Sequence, residues 1–345
     1  MRVQLIDTYH GWKPVFHSVI RDQALAKTIH ETGYAVISLL NQTQINDIRN
    51  FYDQEHTLRT EDGGMFYSLY SRDLKYRKRV HDTLHQLLKP VLDVHFVDYK
   101  NIVNTFITKS PGPKSEFYVH QDTTALDEFH HSPLSVWIPL QDIGPDNGAL
   151  GVIEKTHWFF SPYRGISFAS PFQNINNTLR DYLKPIYLKA GEAIVFDSRI
   201  VHHSMPNVSK EDRLVALCGI FPKDADFTMC YKDPSSDKIE LLKQEDAFIL
   251  ENESFFYDCH SRPKTGIKLK EVENDFPEMN AQTFETLCDM NHIKKQHAIE
   301  QKDNLPCHFI AEPDGINLPD TAPNEAGQAA TWWNKIKHLL KIEQV

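Results

Sequence analysis

The central part of the chain is a series of short apolar segments separated by turn residues. These segments are rich in β-branched and aromatic residues, and they lie at 94–109, 117–122, 132–142, 149–154, 186–188, 193–196 and 213–221. Asn147 and Gly148 form a pair that is typical of a tight hairpin turn. We therefore expect the 149–154 segment to pair with the 132–142 segment. Many short strands with turn signals between them predict a closed or sandwiched antiparallel sheet.

Helices are predicted on the N-terminal side of this region. The spacing of apolar residues indicates a helix over 21–31, which Gly33 ends, and another over 76–92. Between them lie a predicted strand at 34–40 and a second short helix. Residues 56–75 are polar and contain several aromatic residues. They predict a loop, which lies either at the mouth of an active site or elsewhere on the surface.

The chain changes character near residue 230. We expect a β domain over 1–230, an extension packed on it over 231–303, a linker over 304–330 and an amphipathic helix over 331–345. The extension contains a strand-like segment at 247–250 and a helical pattern at 281–299. The terminal helix has apolar residues on one side and lysines elsewhere. This pattern fits a helix that docks on its own domain, or one that binds a partner or a membrane surface.

Composition limits the classes of function and location. The formal net charge of −10 argues against nucleic acid as a partner, because phosphate binding needs a basic surface. The five cysteines show no disulfide spacing, which favours reduced thiols in the cytoplasm. The N-terminus has no signal-peptide pattern, and no apolar run has the length of a transmembrane helix.

An H-x-D pair is the first candidate for chemistry. His120 and Asp122 lie in a predicted strand, where residues two apart point to the same face. With a third ligand they would form the two-histidine, one-carboxylate face that is typical of non-haem Fe(II) oxygenases. His202 and His203 are candidates for the third ligand. Neighbours in a strand face opposite ways, so only one of the two can point inward.

Further motifs follow the H-x-D pair in order. They are Trp137, the Asp-Asn-Gly-Ala-Leu turn at 146–150, His157, and a His-x-Ser-x-x-Asn sequence at 202–207 that is followed by Arg213. Together with His120 and Asp122, these motifs resemble the phytanoyl-CoA dioxygenase family of iron- and 2-oxoglutarate-dependent oxygenases. The resemblance covers roughly residues 101–222, with a weaker similarity over about 31–52.

This resemblance implies a mainly β fold, the double-stranded β-helix, which is a jelly-roll, cupin-like barrel with flanking N-terminal helices. It also implies that His120, Asp122 and His202 bind Fe(II), since the family's third ligand stands two residues before the serine. Arg213 would then bind the far carboxylate of 2-oxoglutarate. A second group would line the cosubstrate pocket: Ser204, Trp137 and Thr105.

Three of these features have simpler explanations. Arg213 could form a surface ion pair with a neighbouring acidic residue, and Trp137 could be an ordinary core residue. His157 departs from the family's turn sequence, and we interpret it as structural. His130 and His131 follow an acidic loop and fit no metal spacing with His120, so we expect them on the surface.

The resemblance further implies a dioxygenase that uses Fe(II), 2-oxoglutarate and O2. It would hydroxylate an unactivated C–H bond of a small-molecule or carrier-protein-tethered substrate and release succinate and CO2. Halogenating relatives have a small residue at the carboxylate position, so Asp122 favours hydroxylation, desaturation or ring closure. Two alternatives are a cupin-like metalloenzyme that does not use 2-oxoglutarate and a non-catalytic binding module on the same fold.

Overall fold

The computed structural model describes residues 13–55, 64–159, 163–168, 171–252, 261–274 and 279–296. Its centre is a pair of antiparallel sheets. The larger sheet has the order β1 (Tyr34–Ser38), β8 (Glu192–Asp197), β5 (Leu134–Pro139), β10 (Arg213–Pro222), β3 (Tyr99–Lys109) and β2 (Met65–Tyr67). The smaller sheet has the order β4 (Phe117–His120), β9 (Val201–Ser204), β6 (Leu150–Ile153) and β7 (Lys184–Ile186).

An apolar core fills the space between the two sheets. Trp137, Ile194 and Val215 of the larger sheet belong to the same buried cluster as Leu150 and Val152 of the smaller one. Buried faces that meet in this way are what hold a β-sandwich or jelly roll together. The predicted double-stranded β-helix is confirmed.

The predicted hairpin across Asn147 and Gly148 is wrong, because β5 and β6 lie in different sheets. Strand β5 already has β8 on one edge and β10 on the other, so it has no free edge for β6. Strand β6 pairs instead with β7 and β9. The Asn147 side chain stabilises the connection that crosses from β5 to β6. Its Oδ1 accepts from the Gly144 N–H at 2.9 Å, and its Nδ2 donates to the Asp142 carbonyl at 2.8 Å.

Three helices cover the outer face of the larger sheet, as the sequence predicts. They are α1 (Gln23–Thr32), α2 (Gln42–Glu55) and α3 (Leu74–His95). Their apolar stripes, including Ile29, Ile48 and Leu84, are buried in one cluster with Val136 and Ala216 of the sheet. In the described part of the chain, no helix has both the length and the apolar character that crossing a membrane requires.

The extension forms its own small sheet. Strands β11 (Thr228–Lys232), β12 (Lys238–Lys243) and β13 (Ile267–Glu273) pair in that order, and β11 spans the predicted domain boundary at 230. Three further α-helices lie in the described residues: α4 (Asn176–Arg180), α5 (Phe248–Glu251) and α6 (Ala281–Met290). The linker predicted over 304–330 and the helix predicted over 331–345 lie outside the described residues.

The strand predicted at 247–250 is wrong, because this segment forms the single helical turn α5. The Glu251 N–H donates to the Ala247 carbonyl at 3.0 Å, and Phe248 packs in a cluster with Phe227. The middle strand β12 already has partners on both edges. Helix α6 confirms the start of the predicted 281–299 helix, but it ends at Met290, and the described residues 291–296 are not helical. Its Phe284 packs against Phe159, with ring centroids 6.0 Å apart.

A buried polar cluster ties the N-terminal segment to the barrel. His17 and His157 are both buried, and His17 Nε2 lies 3.4 Å from Asp197 Oδ2. His157 Nε2 donates to the His30 carbonyl at 2.8 Å, which confirms the structural role predicted for it. Burial lowers the pKa of His157 to about 4 and that of His17 to about 3. Both imidazoles are therefore neutral in the folded protein at neutral pH.

These histidines predict that the protein loses stability in mild acid. An unfolded histidine takes up a proton near pH 6.5, whereas folded His157 does not do so until about pH 4. Each such residue lowers the free energy of unfolding by up to about 1.4 kcal/mol per unit as the pH falls below 6.5. Urea unfolding between pH 7.5 and 5.0 measures this slope. We expect His157→Gln to reduce this slope; equal slopes in the wild-type and His157→Gln proteins would contradict the role assigned to His157.

Candidate functional site

The fold brings the three predicted metal-binding side chains together. His120 ends β4 directly opposite His202 of β9, and Asp122 follows two residues later. Asp122 Oδ1 lies 3.8 Å from His120 Nε2 and 3.7 Å from His202 Nε2. One ligand atom from each residue lies within 4.8 Å of the others, which is a spacing that a single metal ion can bridge.

Backbone carbonyls orient both imidazoles. His120 Nδ1 lies 2.8 Å from the Tyr118 carbonyl, and His202 Nδ1 lies 3.0 Å from the Ile200 carbonyl. A carbonyl only accepts, so each Nδ1 carries a proton, and in the neutral imidazole the lone pair is on Nε2. Burial, together with the neighbouring imidazole of His202, lowers the pKa of His120 well below its ordinary value. A neutral imidazole of this kind is ready to bind a metal ion.

His203 lies on the opposite face of β9. Its Nε2 is 2.9 Å from Glu116 Oε1, and burial lowers its pKa to about 4. Arg180 also binds Glu116 Oε1, at 2.5 Å. His203 therefore has a structural partner on the outer side of the sheet. The prediction that only one of the two adjacent histidines points inward is confirmed, and the inward one is His202.

A cavity extends from the three side chains into the barrel. It encloses about 430 Å³, including its open end, and apolar side chains of both sheets line it, among them Ile107, Leu150, Phe196 and Leu217. Ser204, Trp137 and Arg213 also line this cavity. Asp122 keeps 35% of its side chain exposed, so the metal-binding end is the one nearer to solvent.

Arg213 is the cavity's buried cation. It is 1% exposed, which rules out the surface ion pair considered from the sequence. Its Nε and Nη1 have no hydrogen-bond partner among the described residues, and its Cζ lies 5.2 Å from the Trp137 ring centroid. Burial lowers its pKa to about 10, so it stays charged at neutral pH. A buried, unpaired cation is costly, which points to an anionic ligand in this cavity.

Thr105 is not brought to the cavity wall. Its Oγ1 lies 2.8 Å from Ser68 Oγ and accepts from the Leu69 N–H at 3.1 Å. These contacts fix the turn that follows β2. Ser204, in contrast, reaches the cavity, and its carbonyl accepts a hydrogen bond of 2.7 Å from the buried Lys109 Nζ.

Several cavity residues were not predicted individually. Met65 and Tyr67 of β2 line the wall, which agrees with an active-site position for part of the 56–75 segment. The rest of that segment, 56–63, lies outside the described residues. Burial raises the pKa of Tyr67 well above 10, so its phenol is neutral beside Arg213. In the sequence, only the alternation of Met65 and Tyr67 indicates that they lie on one face of a strand. A strand of three residues is too short for this pattern to be recognised.

The orientation of the two adjacent histidines predicts opposite results for two alanine variants. His202→Ala removes a side chain that faces Asp122, so we expect the affinity for Ni(II) to fall by at least about 100-fold. His203→Ala removes only the contact with Glu116, so we expect stability to fall by about 1–3 kcal/mol with metal binding retained. Calorimetric Ni(II) titration and urea unfolding measure the two effects. Loss of metal binding only in His203→Ala would reverse the assignment.

Comparison with known proteins agrees with the geometry. The family model described as phytanoyl-CoA dioxygenase (PhyH) matches residues 26–215. Phytanoyl-CoA dioxygenase 1 of Oryza sativa subsp. japonica is 29% identical over 116 residues, which are 32% of this chain and 41% of that protein. A phytanoyl-CoA dioxygenase domain-containing protein 1 homolog of Dictyostelium discoideum is 25% identical over 153 residues, or 41% and 50% of the two chains. This chain thus spans half or less of the length of these relatives.

Solved structures with similar chain traces include SnoK, a non-heme alpha-ketoglutarate-dependent carbocyclase from nogalamycin biosynthesis. It is 16% identical, with a TM-score of 0.45 over 62% of this chain and 88% of that one. HygX of Streptomyces hygroscopicus, solved with nickel, 2-oxoglutarate and hygromycin B bound, is 13% identical, with a TM-score of 0.43 over 63% and 92%. The family model covers 190 of the 345 residues, and the chain belongs to the phytanoyl-CoA dioxygenase (PhyH) family.

Proposed function

We propose that the protein is an Fe(II)- and 2-oxoglutarate-dependent dioxygenase that hydroxylates an unactivated C–H bond. One observation carries this proposal. Three convergent ligand side chains and an unpaired, buried guanidinium belong to the same cavity. The first group suits a metal ion, and the second suits the far carboxylate of a dicarboxylic acid that binds the metal with its other end.

The metal would be held by His120, Asp122 and His202. Two neutral imidazoles and one carboxylate are the ligands of the facial triad, which leaves positions open for a cosubstrate and O2. Bound iron would activate O2, which is the oxidant: one oxygen atom would convert 2-oxoglutarate to succinate and CO2, and the other would oxidise the substrate. Because Asp122 keeps the carboxylate, hydroxylation, desaturation or ring closure is favoured over halogenation.

The remaining cavity residues would bind and shield the cosubstrate. Arg213 would pair with the far carboxylate of 2-oxoglutarate, and Trp137 would hold the guanidinium against its ring. The Ser204 hydroxyl donates to the Gly148 carbonyl at 3.3 Å in this structure and would turn from it to donate to the cosubstrate. We assign Thr105 a supporting role through its contact with Ser68. The apolar walls would keep water away from the reacting atoms.

The two alternatives fit the cavity less well. A cupin-like enzyme that does not use 2-oxoglutarate leaves the buried charge of Arg213 without a ligand. A binding module that has lost its activity has no need of a complete set of metal ligands, yet all three side chains converge. Both alternatives predict that no succinate is formed.

We further propose a small-molecule or carrier-tethered substrate and a cytoplasmic location. Cys218, Cys230 and Cys288 are buried free thiols, which suits a reducing compartment. The net charge of −10 supports a partner other than nucleic acid. In this proposal residues 1–230 form the catalytic domain and residues 231–303 a packed extension.

Succinate formation from 2-oxoglutarate tests the proposed function. We expect anaerobically purified, Fe(II)-loaded protein to form succinate slowly in air, even without its substrate. His120→Ala and Arg213→Ala should each abolish this turnover, because one removes a metal ligand and the other the cosubstrate's partner. His130→Ala, which changes an exposed histidine, is the matched control and should keep the wild-type rate. Turnover in Arg213→Ala equal to wild type would contradict the assignment of Arg213.

A binding measurement isolates the role of Arg213 from turnover. With Ni(II) in the site, 2-oxoglutarate should raise the melting temperature of the wild-type protein, since a ligand that binds only the folded state stabilises it. Arg213→Gln should weaken 2-oxoglutarate binding by about 30-fold or more, because breaking a buried charge pair costs about 2 kcal/mol or more. Its Ni(II) affinity should be unchanged. Equal 2-oxoglutarate affinity in both proteins would exclude the proposed pairing.

A further inference from the structure

Three of the four polar atoms of Asp122 form hydrogen bonds with other residues. Its N–H donates to the Ser198 carbonyl at 3.1 Å, and its Oδ2 accepts from Ser135 Oγ at 3.2 Å. Its carbonyl accepts from Arg164 Nε at 2.6 Å. The fourth position, Oδ1, faces His120 and His202. The surroundings therefore leave one carboxylate oxygen for a metal ion.

Arg164 comes from a distant part of the chain and is itself fixed by Glu128. Its Nη1 lies 3.0 Å from Glu128 Oε2 and its Nη2 lies 2.6 Å from Glu128 Oε1. Both side chains are buried, with 4% and 9% of their surface exposed. A planar guanidinium held by two bonds to a carboxylate has one orientation, and in that orientation its Nε points at the Asp122 carbonyl.

Backbone contacts join the same two segments. The Thr124 N–H donates to the Arg164 carbonyl at 3.0 Å, and the Arg164 N–H donates to Thr124 Oγ1 at 2.9 Å. Hydrogen bonds thus join Arg164 to the 122–128 segment at its start (Asp122), near its middle (Thr124) and at its end (Glu128). This stretch follows the last residue of β4, so the sheet itself does not fix it.

Stability alone gives a weak reason for a buried ion pair at this place. Replacing such a pair with apolar residues of similar size is often neutral or stabilising, because the charges no longer have to be desolvated. The contact with the Asp122 carbonyl gives the pair a different role. We propose that Arg164 and Glu128 are a positioning pair. They hold Asp122 so that only one of its carboxylate oxygens can bind the metal ion; this inference rests on the proposed function.

The test separates positioning from stability. The double variant Arg164→Met/Glu128→Leu removes both charges and keeps similar side-chain volumes. We expect its melting temperature without metal to equal or exceed that of wild type, while its Kd for Ni(II), measured by calorimetry on the full chain, rises about 10- to 100-fold. A Kd within twofold of wild type would overturn the proposal.

Two further variants keep the test decisive if the double variant does not fold. Arg164→Lys retains a cation beside Glu128, but one ammonium cannot reproduce the fork that also reaches the Asp122 carbonyl. We expect a raised Kd for Ni(II), and an unchanged Kd would overturn the proposal. Arg77→Met is the matched control, since Arg77 is 1% exposed and donates to the Ile249 and Asn252 carbonyls away from the cavity. Its Ni(II) affinity should equal that of wild type.

A double-mutant cycle identifies Asp122 as the residue through which the pair acts. In an Asp122→Ala background, Arg164→Met should cause no further loss of Ni(II) affinity. If Arg164→Met lowers the Ni(II) affinity by the same factor in the wild-type and the Asp122→Ala backgrounds, its effect is a general structural one, and the positioning role is overturned. A failure of the proposed function looks different: the wild-type protein would either bind no Ni(II), or bind Ni(II) but, when loaded with Fe(II), form no succinate from 2-oxoglutarate.

Discussion

The antiparallel pairing of β4 with β9 is the interaction on which the site depends. It sets His120 opposite His202. Asp122 lies two residues beyond the end of β4, and its contacts with Ser198 and Ser135 hold its carboxylate at the same place. Two carbonyls of the turn before β9 hold this arrangement: Ser198 accepts from the Asp122 N–H, and Ile200 accepts from His202 Nδ1. A slip of one residue in this pairing would replace His202 with His203, which faces Glu116 on the other side.

Two buried basic side chains in the barrel differ in their hydrogen bonds. Lys109 and Arg213 are directly opposite each other on β3 and β10, and both are almost fully buried. Lys109 donates to the Ser204 and Met205 carbonyls at 2.7 and 2.6 Å, so its hydrogen bonds lie within the protein. Arg213 keeps Nε and Nη1 without a described partner. Polar groups left unpaired inside a well-packed core are expected at functional sites.

Features with a short-range cause could be predicted from the sequence. The strand period separates His202 from His203, and the helix period marks the three N-terminal helices. The strand predicted over 117–122 ends at His120, so Asp122 reaches the same point from just beyond the strand. Features that depend on distant partners could not. The Asn147–Gly148 pair has the composition of a hairpin turn, but competition from β8 and β10 for the edges of β5 decides the pairing. Arg164 reaches Asp122 from 42 residues away, with no spacing that would reveal it.

The most direct test of the account is an anaerobic titration of Fe(II)-loaded protein with 2-oxoglutarate, followed by the visible absorption of the iron. The account predicts one Fe(II) per chain and an absorption change that saturates at one equivalent of 2-oxoglutarate. Asp122→Ala should abolish the change, and Arg213→Gln should move it to higher 2-oxoglutarate concentration. Wild-type protein that binds Fe(II) but shows no absorption change with 2-oxoglutarate would contradict the account.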